Sequence, residues 1–256
     1  MPQPTLLISA IFAMASAGVY FYVGHRLARR RMASPETRLA WALFVVWWYG
    51  LAATTLVGGV LNLLGALAVT DLALFVTFTY VNLLVICAAL YGLLYYLLYL
   101  FTGNQRLLTP LTLFYIGYYV LLVYYITYRN PIGLQIGRWS AALQYERSQA
   151  GPLFALALAL LVFPQIIGSL AYFSLFFRVR DPTQKYRTAL VSWSIIIWFG
   201  VALAASAFGL AQQDWWQMVS RLIGLGAALA ILLAYEPVRW IKQRLGVVSI
   251  TDEAAA

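Results

Sequence analysis

LAWALFVVWWYGLAATTLVGGVLNLLGALAV, residues 39–69, contains no Asp, Glu, Lys, Arg or His along its whole length. About 20 apolar residues in a helix suffice to cross the hydrocarbon core of a bilayer. This run is longer than one crossing, so it decides the class of fold. The rest of the chain agrees: 63% of its 256 residues are hydrophobic and 10% charged, where soluble domains carry roughly 25% charged residues. Too little polar surface exists to coat such a chain in water, and the excess apolar surface must face lipid. Barrel strands would alternate apolar and polar residues over about ten positions. Continuous runs instead satisfy their backbone groups internally as helices.

Similar runs place seven transmembrane helices at about residues 6–27, 39–65, 72–102, 110–129, 152–177, 187–211 and 215–236. The first begins at Leu6 with no basic segment ahead of it and is followed by Arg26, Arg29, Arg30 and Arg31. It therefore reads as a span, not as a cleaved signal. Of 17 Lys and Arg residues, 13 fall in four segments on one side: Arg26 to Arg38, Arg106, Arg178 to Arg187, and Arg239 to Arg244. Cytoplasmic loops carry the excess of Lys and Arg, so the N-terminus is expected outside and the C-terminus inside. The net charge of +9 follows this loop pattern and forms no basic stripe interleaved with base-stacking aromatics, so nucleic acid is not an expected partner.

The connections are short except 130–151. There Trp139, Ala141, Leu143 and Tyr145 alternate with more polar residues between Gly133, Gly137 and Gly151, a pattern that predicts an outer β-hairpin between spans four and five. After Glu236-Pro237, apolar Val238, Trp240, Ile241 and Leu245 mix with Arg239, Lys242 and Arg244. Residues 237–246 are thus expected to form a short helix on the inner membrane surface, closing a single domain of residues 1–246. Residues 247–256 are expected to be a flexible tail.

Several chemistries lack their residues. Retinal attachment requires a lysine inside span seven, yet the only lysines are Lys185 and Lys242 in basic loops; no cofactor is expected. The acidic residues lie near span ends, so no intramembrane carboxylate pair is available for proteolysis. His25 is the only histidine and Cys87 the only cysteine, so neither a metal site nor a catalytic histidine arrangement nor an intrachain disulfide is expected. The chain reads as a non-enzyme.

Arg221 stands apart, about two turns inside span seven. A charge at that depth is costly unless it faces water or a partner, which makes it a candidate site residue. Tyr80 and Asn82 in span three, Tyr118 in span four and Trp216 at the mouth of span seven are expected to complete an outward-facing, aromatic-walled cavity with Arg221, suited to a small, lipidic or amphiphilic anion. Outward snorkelling, or pairing with Asp71 or Asp214, is the structural alternative. Asn62, Gln165, Ser192 and Ser194 are expected as polar contacts between helices. Gly58, Gly59, Gly224 and Gly226 mark close packing.

Two resemblances bear on function. Phe101-Thr102-Gly103 with Arg106 and Leu108-Thr109, then Arg129-Asn130-Pro131, then Tyr145-Glu146 with Gly151-Pro152-Leu153-Phe154 resemble the seven-transmembrane sensor region at the N-terminus of bacterial and archaeal histidine kinases. The likeness covers about half the chain. It implies a sensor in a bacterial cytoplasmic membrane that binds a ligand or lipid within the bundle and signals to a cytoplasmic partner. No kinase, phosphoacceptor or cyclase motif follows Glu236, so the output is expected from a partner or from a domain outside this sequence. Separately, Pro164-Gln165 in span five is similar to the Pro-Gln of PQ-loop and sugar-efflux transporters. Those repeat a three-helix unit, whereas here Pro2-Gln3 precedes span one. A receptor-like sensory module is the leading expectation, with a small-solute transporter as the alternative.

Overall fold

The computed structural model describes residues 3–29, 35–147, 152–207 and 213–255. Helix α1 spans Pro4–Ala28, α2 Pro35–Ala66, α3 Leu72–Thr102 and α4 Leu108–Arg129. The latter is entered through a short 3-10 turn, Gln105–Leu107. Strands β1 (Pro131–Ile136) and β2 (Ala141–Tyr145) follow, then α5 Pro152–Arg178, α6 Pro182–Ala207, α7 Asp214–Tyr235, α8 Arg239–Leu245 and α9 Ile250–Ala255. Among the described residues, five helices (in α1, α2, α3, α4 and α7) are long and apolar enough to cross a membrane. This is the make-up of a predominantly helical integral membrane protein.

Local chemistry fixes the helix ends. Pro4 opens α1, where its preset φ and missing N–H cost nothing. The Asp71 carboxylate accepts from Leu74 N at 3.2 Å and caps α3. At the other end Gly103 adopts φ 63° and donates its N–H to the Tyr99 carbonyl, a left-handed cap that favours glycine.

Consecutive helices pack side by side, and α7 returns to α1, so the bundle closes on itself. Helix α3 also meets α5, leaving α4 at the periphery. The centre is rich in aromatic side chains. Trp47, Trp48, Tyr20 and Tyr95 are fully buried, and Trp48 meets Tyr235 edge-on with ring centroids 5.9 Å apart. Close approach of α2 to α3 requires glycine at two points, since a Cβ on Gly50 would strike Ala89 and one on Gly92 would strike the Leu43 carbonyl.

At one end of the bundle, β1 and β2 pair antiparallel, with Leu134 opposite Leu143 and Ile136 opposite Ala141. Ala141 and Leu143 are buried with Phe75 against the ends of α2 and α3. Asn62, itself buried, donates from Nδ2 to Ser9 Oγ at 3.0 Å and accepts the Ala141 N–H at 3.0 Å. One side chain thereby ties α1, α2 and the strand pair together. Arg129 is buried against the Tyr145 ring, its guanidinium carbon 3.6 Å from the centroid. Burial pushes the Tyr145 hydroxyl pKa up, against the opposing pull of Arg129.

At the basic end, the flexible tail expected over 247–256 is corrected. Residues Ile250–Ala255 form α9, and Val247, Ser249 and Ile250 are buried. The reason is a set of specific partners. Arg187 Nη2 donates to the Val248 carbonyl at 2.9 Å, and Val248 N donates to Thr183 Oγ1 at 3.1 Å. Ser249 and Asp252 form a reciprocal cap, with Asp252 N donating to Ser249 Oγ at 3.1 Å and Ser249 N to Asp252 Oδ2 at 3.4 Å. Lys242 Nζ lies 2.7 Å from Asp252 Oδ2, and its hydrogen bond, together with that of Ser249, holds the Asp252 carboxyl below its usual pKa. Helix α8 buries no residue; Trp240 remains 62% exposed, available to a membrane surface.

Candidate functional site

The helical period places Ala13, Ser16 and Tyr20 on one face of α1. Opposite them α2 brings Thr54 and Thr55, α6 brings Trp198, and α7 brings Ser220, Arg221 and Gly224. Together they line a cavity of about 100 Å³. Arg221 lies seven residues along α7 from Asp214, about 10 Å at the helical rise. The guanidinium passes over Gly58, where a Cβ would sit 3.6 Å from Nη1; the missing side chain opens this approach.

The polar atoms around the cavity divide into two kinds. Ser16 Oγ donates to the Phe12 carbonyl at 2.9 Å, Thr55 Oγ1 to the Leu51 carbonyl at 2.7 Å, and Ser220 Oγ to the Gln217 carbonyl at 2.8 Å. Tyr20 Oη makes a longer bond, 3.5 Å, to the Gly224 carbonyl. Those hydroxyls spend their protons on backbone and keep lone pairs to offer. By contrast, Arg221 Nε and Thr54 Oγ1 are buried with no hydrogen-bond partner among the described residues. Unpaired buried donors are costly, and a cationic one inside a membrane bundle is the more so. An occupant with acceptor atoms would remove the cost.

The expected cavity between spans three, four and seven is corrected by this geometry. Helix α7 packs between α6 and α1, so Arg221 faces α1, α2 and α6. Tyr80 shares a hydrogen bond of 3.1 Å with Thr127 across α3 and α4, away from Arg221. Tyr118 is buried in the main core beside Tyr115, their rings 6.2 Å apart. Asn82 Oδ1 and Trp216 Nε1 are buried without partners, but neither residue lines the Arg221 cavity. Among the candidates, only Arg221 reaches it. Of its two possible acidic partners, Asp71 is engaged as the α3 cap, while the side chain of Asp214 lies outside the described residues. Gln165 does as well.

Thr54, Ser16 and Trp198 were not singled out by the sequence reading. A signal existed for one of them, the polar pair Thr54-Thr55 in the middle of the uncharged run 39–69. Glycines 58 and 59 follow one turn later, and Gly59 does serve packing, since its Cβ would meet Met14 and Ala13.

A second depression, about 490 Å³, lies on the neighbouring face of α1 and α2, lined by apolar residues that include Met14, Phe21 and Leu56. It has the character of a lipid-facing groove.

No protein-family model matches the chain, and no curated protein matches it.

Proposed function

We propose that the protein is a receptor-like sensory module with seven spans, α5 and α6 completing the five apolar helices. Its N-terminus and strand pair lie outside, and its basic end lies in the cytoplasm of a bacterial cell. The ligand site is the Arg221 cavity. The observation that carries this reading is Arg221 Nε, buried without a hydrogen-bond partner among the described residues, at a cavity between α1, α2, α6 and α7. Three of those helices also hold the C-terminal segment. Tyr22 of α1 donates to Glu236 Oε1 at 3.5 Å, Thr251 also bonds Glu236, and Arg187 of α6 bonds Val248. A ligand that draws α1, α6 and α7 together therefore acts on the surface a cytoplasmic partner meets, while membrane lipids cover the outer face.

Native mass spectrometry of the purified protein tests the site: an anionic occupant is expected with the wild type and absent from Arg221→Met. Equal occupancy of both would overturn the assignment. Orientation is tested separately with cysteines at the exposed positions 142 and 184. The first should label with an impermeant reagent in intact cells, and the second only after lysis.

One observation favours the transporter alternative. Helices α1, α2, α3 and then α5, α6, α7 pack as two consecutive triples with α4 outlying, as a repeated three-helix unit would require. Flux of a small solute into proteoliposomes, abolished by Arg221→Met, would favour transport over sensing.

A further inference from the structure

We infer that the Arg221 cavity selects a compact monovalent oxyanion, the size of acetate or bicarbonate, and excludes long amphiphiles; the inference rests on the ligand-site reading above. Size is the first argument. A cavity of about 150 Å³ takes a ligand the size of benzene, so one of about 100 Å³ suits an anion of about four heavy atoms. A long acyl chain exceeds that volume. The apolar groove that would suit one is lined by Met14, Gly18 and Phe21 on a different face of α1 from Ala13, Ser16 and Tyr20, and buried Ala13, Ala17 and Ala52 lie along that helix contact.

Charge and shape come next. The guanidinium is a planar fork that matches two oxygens of one anion, which favours a carboxylate-like group over a spherical halide. Thr54 Oγ1 adds the second unpartnered donor. A cation would be repelled by Arg221. A divalent anion would bring two charges to one guanidinium in a site where desolvation is expensive. The hydroxyl oxygens of Ser16, Thr55 and Ser220, with their protons committed to carbonyls, can still accept a hydrogen bond from the ligand's own O–H or from a co-bound water. Bicarbonate and a hydrated carboxylate meet that pattern.

The test is the thermal unfolding midpoint of the full chain in lipid nanodiscs, titrated with sodium acetate, bicarbonate, chloride, sulfate or hexanoate at constant ionic strength. A ligand that binds only the folded state raises the midpoint with its concentration. Acetate and bicarbonate are expected to raise it saturably in the wild type, with chloride, sulfate and hexanoate ineffective. Arg221→Met should abolish the rise. Thr54→Val keeps the side-chain volume and removes one donor, so about tenfold more acetate should be needed. That variant, together with wild-type competition between acetate and hexanoate, keeps the test informative if Arg221→Met fails to fold. A rise with hexanoate or sulfate but not acetate, dependent on Arg221, would overturn the compact-monoanion class and leave the ligand site standing. Identical responses of the wild type, Arg221→Met and Thr54→Val to every anion would overturn both.

Discussion

Helices α1 and α2 enclose polar side chains at two levels, and the two are built differently. Near the strand pair, Asn62 meets Ser9 and the Ala141 N–H, so both ends of its amide are engaged. Seven residues away along each helix, back to Thr55 in α2 and forward to Ser16 in α1, about 10 Å at the helical rise, the Arg221 cavity leaves Nε and Thr54 Oγ1 without partners among the described residues. The first level is a closed network that specifies where the strands sit. The second carries a cost that only an occupant or water can relieve. Satisfied buried polar groups contribute to a unique structure, whereas unsatisfied ones call for an explanation. Substitutions at the two levels should therefore separate stability from binding.

The largest loss of stability is expected from Asn62→Ala. It deletes both hydrogen bonds and leaves the Ala141 N–H buried with nothing to meet, at a cost of about 2–3 kcal/mol. Thermal unfolding in detergent should show it, with the strand pair becoming accessible to protease at lower temperature than the helices. A variant as stable as the wild type would mean that Asn62 is not the tie it resembles. Gly65→Ala tests the same level by steric means, because the new Cβ would come within 2.6 Å of Ala141 Cβ. Displacing the β2 strand should cost about 1–2 kcal/mol.

Arg221→Met sharpens the contrast from the other side. Removing a buried charge that has no partner among the described residues sacrifices no ion pair there, and replacing buried charge by apolar volume is often neutral or stabilising. The unfolding midpoint without added anion should stay within about 1 kcal/mol of wild type, or rise. A large loss would reveal a structural partner for Arg221 and dissolve the difference between the two levels.

How far the sequence carried this picture differs from residue to residue. The long uncharged run 39–69 announces a membrane helix because its signal is one-dimensional: length and hydropathy suffice. The depth of Arg221 is equally visible. Its neighbours are not, since which helices meet depends on packing order, and in a membrane small residues and shape decide that order without any marked pattern. Depth and aromaticity alone group Tyr80 and Tyr118 with Arg221, while α1, α2 and α6 form its walls. The C-terminal segment is a different kind of miss. Ser249-Ile250-Thr251-Asp252 carries the spacing of a capping box, legible in the sequence, but without a following apolar run it gave no reason to expect a docked helix. The partners that dock it, Arg187 and Thr183, stand more than 60 positions earlier in the chain.

The smallest effect on stability is expected where α2 passes the guanidinium. At Gly58 an added Cβ would meet Arg221 Nη1 at 3.6 Å and Nη2 at 3.9 Å, which is ordinary van der Waals contact and not a clash. Alanine also favours the helix over glycine by up to about 1 kcal/mol, which offsets any readjustment of the arginine, so Gly58→Ala should fold within about 0.5 kcal/mol of wild type. Its consequence for the cavity is different. The methyl group occupies the space over which the guanidinium reaches and covers part of the face that would meet an anion. Acetate-dependent stabilisation should therefore weaken while the unliganded midpoint hardly moves. Gly65→Ala, one level up the same helix, should do the reverse, lowering the midpoint and leaving the acetate response intact. Measured side by side, these two glycine-to-alanine changes compare the levels with identical chemistry. If both lowered stability and neither touched the acetate response, the cavity would be a packing defect and Arg221 its accidental tenant.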